Sequence, residues 1–594
     1  MASERIVRIA GASGFWGDSA VAAPQLVASG DLDYLVFDYL AETTMAILAA
    51  ARAKDPALGY ATDFVDIAMR PVLREIAGRG IKVVSNAGGV NPQGCALALG
   101  RLAAELGLTL KIAVVEGDDV RATLAEPGLL SANAYLGALP IARALDAGAD
   151  IVVTGRCVDS AVTLGPLMHA FGWADTDFDK LAAGSLAGHL IECGCQATGG
   201  LFTDWREVPD WAGIGYPIVE CGSDGSFTVT KPAGSGGLVV PAVLAEQLLY
   251  EIGDPGAYLL PDVICDFRAV VMTQDGADRV RVSGARGFAP TDDYKVSATA
   301  QQGFRAAGTL VIVGIDAVAK AERTGAAIVE RTRAMLKQAG FADYSATHVE
   351  VIGAEASYGP HSRARGAREV MLRVVADHAD RRALQLFARE IAPAGTSWSP
   401  GTTGPGGGRP SVVPLVRPLS FMRAKAAVPV SFTLGEHRHP VPIALHGGSL
   451  PAPANAAMPA PDTAWAAEPF ETVPLIRLAW ARSGDKGNLS NIGVVARRRE
   501  WLPLLWDRLT TDRVAAWFAH LVRGEVERFH LPGIAAINFL LHEALDGGGP
   551  ASHRLDPLGK GFAQMLLDMP VEVPRSVARE AVRGASGVLT PLGD

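Results

Sequence analysis

Through the first 172 residues, short apolar runs alternate with stretches in which apolar residues recur at helical spacing. The runs are 5–10 (RIVRIA), 34–39 (YLVFDY), 81–85 (IKVVS), 111–115 (KIAVV) and 151–154 (IVVT). Each is too short for a helix and lacks the polar alternation of a half-exposed strand. Strands of this kind are buried on both faces, and their alternation with helices predicts a parallel sheet with helices on both faces. From about residue 236 the pattern blurs. Helix-like 240–250 and 317–339 mix with strand-like 269–272, 309–313 and 348–352, which predicts a second α/β unit packed on the first.

Residues 451–469 hold five prolines and eight alanines in nineteen positions, a composition that favours an extended linker over a packed core. Beyond it, 473–481 and 492–496 read as strands and 500–522 as one or two helices. Residues 535–545 and 560–568 read as helices, and 571–573 as a last short strand. The expected organisation is therefore a Rossmann-like α/β domain over 1–235 and a second α/β domain over 236–450. A Pro/Ala-rich linker at 451–472, a small α/β domain over 473–578 and a tail at 579–594 complete it.

Composition narrows the picture. The 594 residues are 49% apolar and 20% charged, which suits several packed domains and excludes a mainly disordered chain. A net charge of −9 implies no broad basic surface, so no nucleic-acid partner is expected. No run of about 20 apolar residues is present to span a membrane. The N-terminus carries no apolar signal-peptide core. Six cysteines without a C-x-x-C make no disulfide framework. A reduced, cytoplasmic protein is expected.

In a parallel sheet, ligands bind beyond the carboxyl ends of the strands, so the residues found there are the candidate site. They are Gly11, Ser13, Gly14, Gly17 and Asp18 after the first run, then Asp38 and Glu42 after the second. The third run leads to Asn86, Gly88, Gly89 and Asn91, the fourth to Glu116, Asp118 and Asp119, and the fifth to Arg156, Cys157 and Asp159. Such residues also cap helices and make turns, so it is the convergence of all the loops that points to a cleft. The carboxylates suit a general acid and base or a divalent cation such as magnesium. Arg156 suits a bidentate clamp on a carboxylate or phosphate.

Gly11, Gly14 and Gly17, with Asp38 at the end of the second strand, approximate a dinucleotide fingerprint. Against NAD(P), no tyrosine is followed by a lysine four residues on, and Asp18 places negative charge where a phosphate would sit. Cys157 reads as a core thiol. His189 with Cys193 and Cys195, and His437 with His439, lack a usual zinc spacing or a third ligand. The glycine-rich 399–409 reads as an anion-binding nest or a flexible hairpin. In the small domain, RSGDKGN at 482–488 concentrates polar side chains directly after an apolar strand. Asp485, Lys486 and Asn488 are expected to dock near the cleft or at an interface.

The motifs GASGFWGDS (11–19), GYATDF (59–64), SNAGGVNP (85–92), TGRCVDSA (154–161) and ARSGDKGNLSNIGV (481–494) resemble those of the acyclic terpene utilisation family typified by AtuA. The resemblance spans nearly the whole chain. It implies a small C-terminal domain of ferredoxin-like α/β type and a place in the breakdown of terpenoid acids through CoA thioesters. It assigns no residue roles, so these rest on the loops above. Asp38, Glu116, Asp118 and Arg156 are the catalytic candidates. Gly11, Ser13, Gly14, Asn86, Gly88, Asn91, Asp159, Asp485, Lys486 and Asn488 are the substrate-binding ones. The expected activity is acid/base chemistry of lyase or hydratase type on an acyl-CoA, in a homo-oligomer. A nicotinamide-dependent oxidoreductase and a non-catalytic subunit of an acyl-CoA carboxylase assembly are the alternatives.

Overall fold

The computed structural model describes residues 5–124, 128–404, 408–450, 465 and 467–584. Most of the expected linker (451–464 and 466), the middle of the glycine-rich loop (405–407) and the last ten positions of the expected tail (585–594) lie outside the described residues.

The five apolar runs become parallel strands. They are β1 (Val7–Gly11), β2 (Tyr34–Phe37), β3 (Lys82–Ser85), β4 (Ile112–Glu116) and, after one intervening strand β5 (Leu129–Ala134), β6 (Ile151–Thr154). Their order in space is β1–β2–β3–β6–β4, with Ile9 beside Tyr34, Val83 beside Ile151 and Ile112 beside Ile151. Every residue of β2 and β6 is buried, as expected where helices cover both faces.

The sheet is larger than its parallel centre. Antiparallel strands Ile218–Cys221, Phe227–Thr230, Val280–Ser283 and Val271–Gln274 extend it beyond β1. Ser431–Leu434 and the exposed edge strand His437–Pro440 extend it beyond β4, to eleven strands in all. Residues from beyond position 235 thus complete the first sheet.

β5 was not anticipated, because LLSANA has neither a continuous apolar run nor a clean alternation. It leaves the first sheet and pairs with the 21-residue strand Asp293–Val313, placing Ala134 opposite Val296. The far half of that strand pairs with Glu369–His378, which in turn pairs with Ala346–Ile352. Helices Ala317–Gln338 and Arg381–Arg389 pack on this second sheet. One long strand therefore joins the carboxyl edge of the first sheet to the body of the second.

The small domain holds an antiparallel sheet in the order Ala479–Lys486, Leu489–Ala496, Ala536–Leu541, Val526–Leu531. Helices Leu502–Arg508, Thr511–Trp517 and Phe562–Leu567 build on it. Residues 535–545, expected as a helix, instead supply the central strand Ala536–Leu541. A strand buried between two neighbours reads as an unbroken apolar run, and such a run imitates a buried helix.

This domain is docked. Helix Pro241–Leu249 is buried along its whole length between the first unit and strands Ala479–Lys486 and Leu489–Ala496. A Cβ on Gly493 would lie 2.3 Å from that of Leu249, so only glycine admits the approach. Asn491 and Asn538 donate to the carbonyls of Leu249 and Ile252 at 2.6 and 2.8 Å. Arg497 forks onto both oxygens of Asp204 at 2.6 Å, and the Trp480 indole N–H joins them.

Candidate functional site

The carboxyl edge of the parallel strands divides into residues that hold the loops and residues that face a cavity. Gly11 and Gly14 belong to the first group. A Cβ on either would strike the backbone of Ile191 or Cys193 at 2.7 Å, and the Gly14 N–H donates to Asp18 Oδ2. The Gly14 N–H, which a bound pyrophosphate would need, is thus taken by a carboxylate of the chain itself. Ser13 donates to the Asp38 carbonyl at 3.0 Å. Gly88 lies against the Thr154 carbonyl. Asn91 caps helix Pro92–Glu105 through the Gly94 N–H and donates to the Leu58 carbonyl.

Among the catalytic candidates, Glu116 accepts from Thr433 on the added strand Ser431–Leu434, at 3.3 Å. Asp118 accepts from Asn133 at 2.7 Å and from the Arg156 N–H at 2.8 Å, tying β5 to the loop after β6. Burial pushes the Asp118 carboxyl up to about 6 against those two hydrogen bonds. Asp38 is buried and accepts from Asn86. Burial, and then the charge of Asp159, push its carboxyl well above the usual range. Arg156 is only 2% exposed. Its guanidinium lies 4.2 Å from the Tyr135 ring centre and donates to Asp159 at 2.8 Å. Its Nη1 is engaged inside the protein, by Asp159 and the Cys157 carbonyl. Cys157 is buried, and burial pushes its thiol up to about 12, which suits a core residue.

In front of Tyr135 and Asp159 opens a cavity of ≈ 330 Å³. Its lining includes the apolar side chains Val158, Ile252, Tyr258, Leu259, Leu260, Met422, Leu489 and Leu540. It also includes Tyr135, Asp159, Glu251, Lys295, Asp485 and Lys486. Four parts of the chain build it: the edge of the first sheet with segment 251–261, the start of Asp293–Val313, Met422 on the strand paired with it, and the small domain's hairpin with Leu540 beside it. In that hairpin RSGDKGN is mostly strand, and Gly487 and Asn488 make its turn. Lys486 donates to Glu251 at 2.6 Å, and Lys560 donates to Asp485 at 2.8 Å. Asn488 instead turns inward and accepts from the Leu545 and Gly547 N–H groups of its own domain.

Charges in this place are tightly linked. Burial alone would raise the Glu42 carboxyl, but Lys486, Lys295 and Arg156 outweigh it and bring it down to about 2. Glu251 behaves alike: Lys486 and Lys560 overcome burial and hold it at about 2. Asp485 moves the other way, pushed up to about 6 by burial and Glu251 against the pull of Lys560. The Tyr135 hydroxyl donates to Glu42 at 2.8 Å.

Of the residues singled out from sequence, Asp159, Asp485 and Lys486 line the cavity, and Arg156 braces two of its lining side chains. Sequence reasoning missed Tyr135, Glu251 and Lys295. Tyr135 and Lys295 become neighbours only through the β5 pairing, where the Tyr135 N–H donates to the Lys295 carbonyl. A wider recess of ≈ 640 Å³, between 348–365 and the small domain, contains none of the carboxyl-edge residues. His189 hydrogen-bonds Glu192 and the Leu248 carbonyl rather than gathering the nearby cysteines. Among the described residues, the metal-ligating side chains that gather in a group of three are Glu525, Glu527 and His542, on the small domain. That group could hold a divalent ion such as magnesium. No described helix is long and apolar enough to cross a membrane.

No curated protein and no solved structure matches the chain. Two family models do. Residues 473–572 match the AtuA ferredoxin-like domain, in keeping with the antiparallel sheet and helices found there. Residues 7–434 match the acyclic terpene utilisation family protein AtuA. With nearly three quarters of its length under the second model, the chain belongs to the acyclic terpene utilisation family.

Proposed function

We propose that the protein is a catabolic enzyme that acts on a branched or terpenoid carboxylic acid as its CoA thioester, by acid/base chemistry of lyase or hydratase type. Family membership supports the catabolic, acyl-handling part of this reading. The observation that carries the rest is the cavity's mixed lining. Its apolar side chains suit a branched hydrocarbon chain, and its lysines and carboxylates line the same cavity. At ≈ 330 Å³ it takes an acyl group and leaves the nucleotide of CoA outside.

In this reading Lys486 meets the thioester oxygen. Arg156 acts through Tyr135 and Asp159 as a positioning residue, with its own charge balanced by Asp159, Glu42 and Asp38. Asp485, its carboxyl pushed up to about 6, is suited to pass a proton. The small domain is then part of the active site.

The test is equilibrium binding of isovaleryl-CoA and other branched acyl-CoA thioesters, with free CoA and the free acids as comparators. Thioesters should bind at least tenfold tighter than either part alone. Replacing Asp485 and Lys486 together by alanine should weaken that binding more than it lowers the melting temperature. Equal binding of free CoA and its thioesters would refute the reading.

A further inference from the structure

Most polar groups facing the cavity already have a partner. Asp159 is held by Arg156, Glu251 by Lys486, Asp485 by Lys560, and the Asp254 carboxylate by the Gly256 N–H. Lys295 differs. Its Nζ makes no hydrogen bond among the described residues. The nearest opposite charge is Glu42 Oε1 at 3.9 Å, and the Tyr135 ring centre is 5.1 Å away. Two further cations bear on the same spot: Arg156 packs against the same ring and Lys486 lines the same cavity. An amine whose one opposite charge stands 3.9 Å away, at a cavity it shares with two other cations, is set up to lose its proton and expose a lone pair.

We propose that Lys295 is the general base of this site, removing the α-proton of an acyl thioester whose carbonyl oxygen is met by Lys486. The proposal rests on the acyl-thioester reading above and names the group that performs its chemistry. The Lys295 lone pair takes the proton from C2. The C–H electron pair moves into the carbonyl to give an enolate, and the oxygen's charge is met by the Lys486 ammonium. The proton on Lys295 then returns to C2 or passes on to the leaving or adding group, and no oxidant or reductant is consumed. The charged and titratable groups around Lys295 are Glu42, Asp159 and Asp293 on the acidic side, the cations Arg156 and Lys486 on the other, and the Tyr135 phenol. Burial and the two cations lower its ionisation, and Glu42 and Asp159 oppose them without reversing the sign.

Two measurements on the full chain test this. In the first, competitive acetylation by acetic anhydride is followed across pH by peptide mass spectrometry, with exposed Lys54 as internal reference. Lys295 should reach half-maximal labelling at lower pH than Lys54, and isovaleryl-CoA should protect it. Titration together with Lys54 would overturn the proposal.

In the second, solvent deuterium exchange at C2 of isovaleryl-CoA is compared for the parent protein, Lys295→Met and Lys295→Arg. Exchange should fall about 100-fold or more in both variants while binding stays within a few-fold. Because arginine keeps the charge but cannot act as base, full exchange in Lys295→Arg would overturn the proposal. Binding without exchange in the parent protein would overturn it too and leave the acyl-thioester reading standing. Absence of binding would remove both.

Discussion

Arg156 turns its guanidinium inward, against the Tyr135 ring and the Asp159 carboxylate, with its Nε buried and unpartnered. A planar, forked cation makes both contacts at once, and a lysine ammonium makes only one. Arg156→Lys should therefore leave the circular dichroism spectrum unchanged while displacing Tyr135 or Asp159 in the cavity wall. We expect turnover or thioester affinity to fall about 100-fold, since misplacement by about 1 Å can cost that much. Unchanged kinetics would show that the guanidinium serves packing alone. TGRCVDS drew attention because it follows an apolar strand, and the position was legible for that reason. Its role was not, because Tyr135, which decides where the guanidinium goes, lies on a strand without a sequence signature. Lys295 was hidden in the same way. It sits early in a long strand as one more outward polar residue, and only a partner far away in sequence gives it a site.

Among elements, the turn around residue 553 shows how the small domain is latched to the second sheet. His553 reaches Asp377 through Nε2 at 2.8 Å and Asp546 through Nδ1 at 2.9 Å. Arg305 forks onto Asp377 and donates to the Pro550 and Ala551 carbonyls. Hydrogen bonding to Asp377 raises the His553 ionisation despite burial, so its stabilisation is complete below the unfolded histidine value of about 6.5. It is lost as pH rises through the folded value. Asp377 and Asp546 are lowered, against burial, by Arg305 and His553 and by His553 respectively. Their stabilisation is present above the unfolded carboxylate value of about 3.9 and is lost as pH falls. The latch should be strongest between about pH 4 and 6.5. A melting-temperature scan should show that maximum in the parent protein and a flatter profile in His553→Gln. Identical profiles would disprove the latch.

Elements themselves were legible to the extent that burial left a pattern. The five parallel strands were found because burial on both faces makes a short unbroken run. Ala536–Leu541 was misread for that same property. Val526–Leu531 was overlooked because VERFHL is only half-buried and has no clear alternation.

For the molecule as a whole, the small domain is a wall of the cavity rather than a passenger on a linker. Its approach depends on Gly493 meeting Leu249 and Gly484 meeting the Glu251 backbone. Gly493→Val puts a β-favoured residue in a strand, so the domain's own fold should survive while its docking fails. Limited proteolysis between residues 441 and 473 should become faster, and acyl-thioester binding should fall with the loss of Lys486 from the wall. An undigested variant with full binding would show that the contact is dispensable. The polar density of RSGDKGN pointed to this docking, but the joining of two sheets by one strand could not be read from local patterns, because it is set by contacts between distant segments.

The buried helix Pro241–Leu249 also has a consequence for how the protein is made. Its cover includes residues 479–496, which leave the ribosome long after the helix does. At about 5–20 residues per second, the nascent chain carries one face of that helix bare for roughly 10 s or more. During this interval it is a natural client for a chaperone and a seed for aggregation. A chain ended at Leu450 should accordingly accumulate as insoluble material on expression, and supplying residues 465–594 on a second chain should return it to the soluble fraction. A soluble, monodisperse 1–450 fragment would mean that the helix finds another cover while it waits.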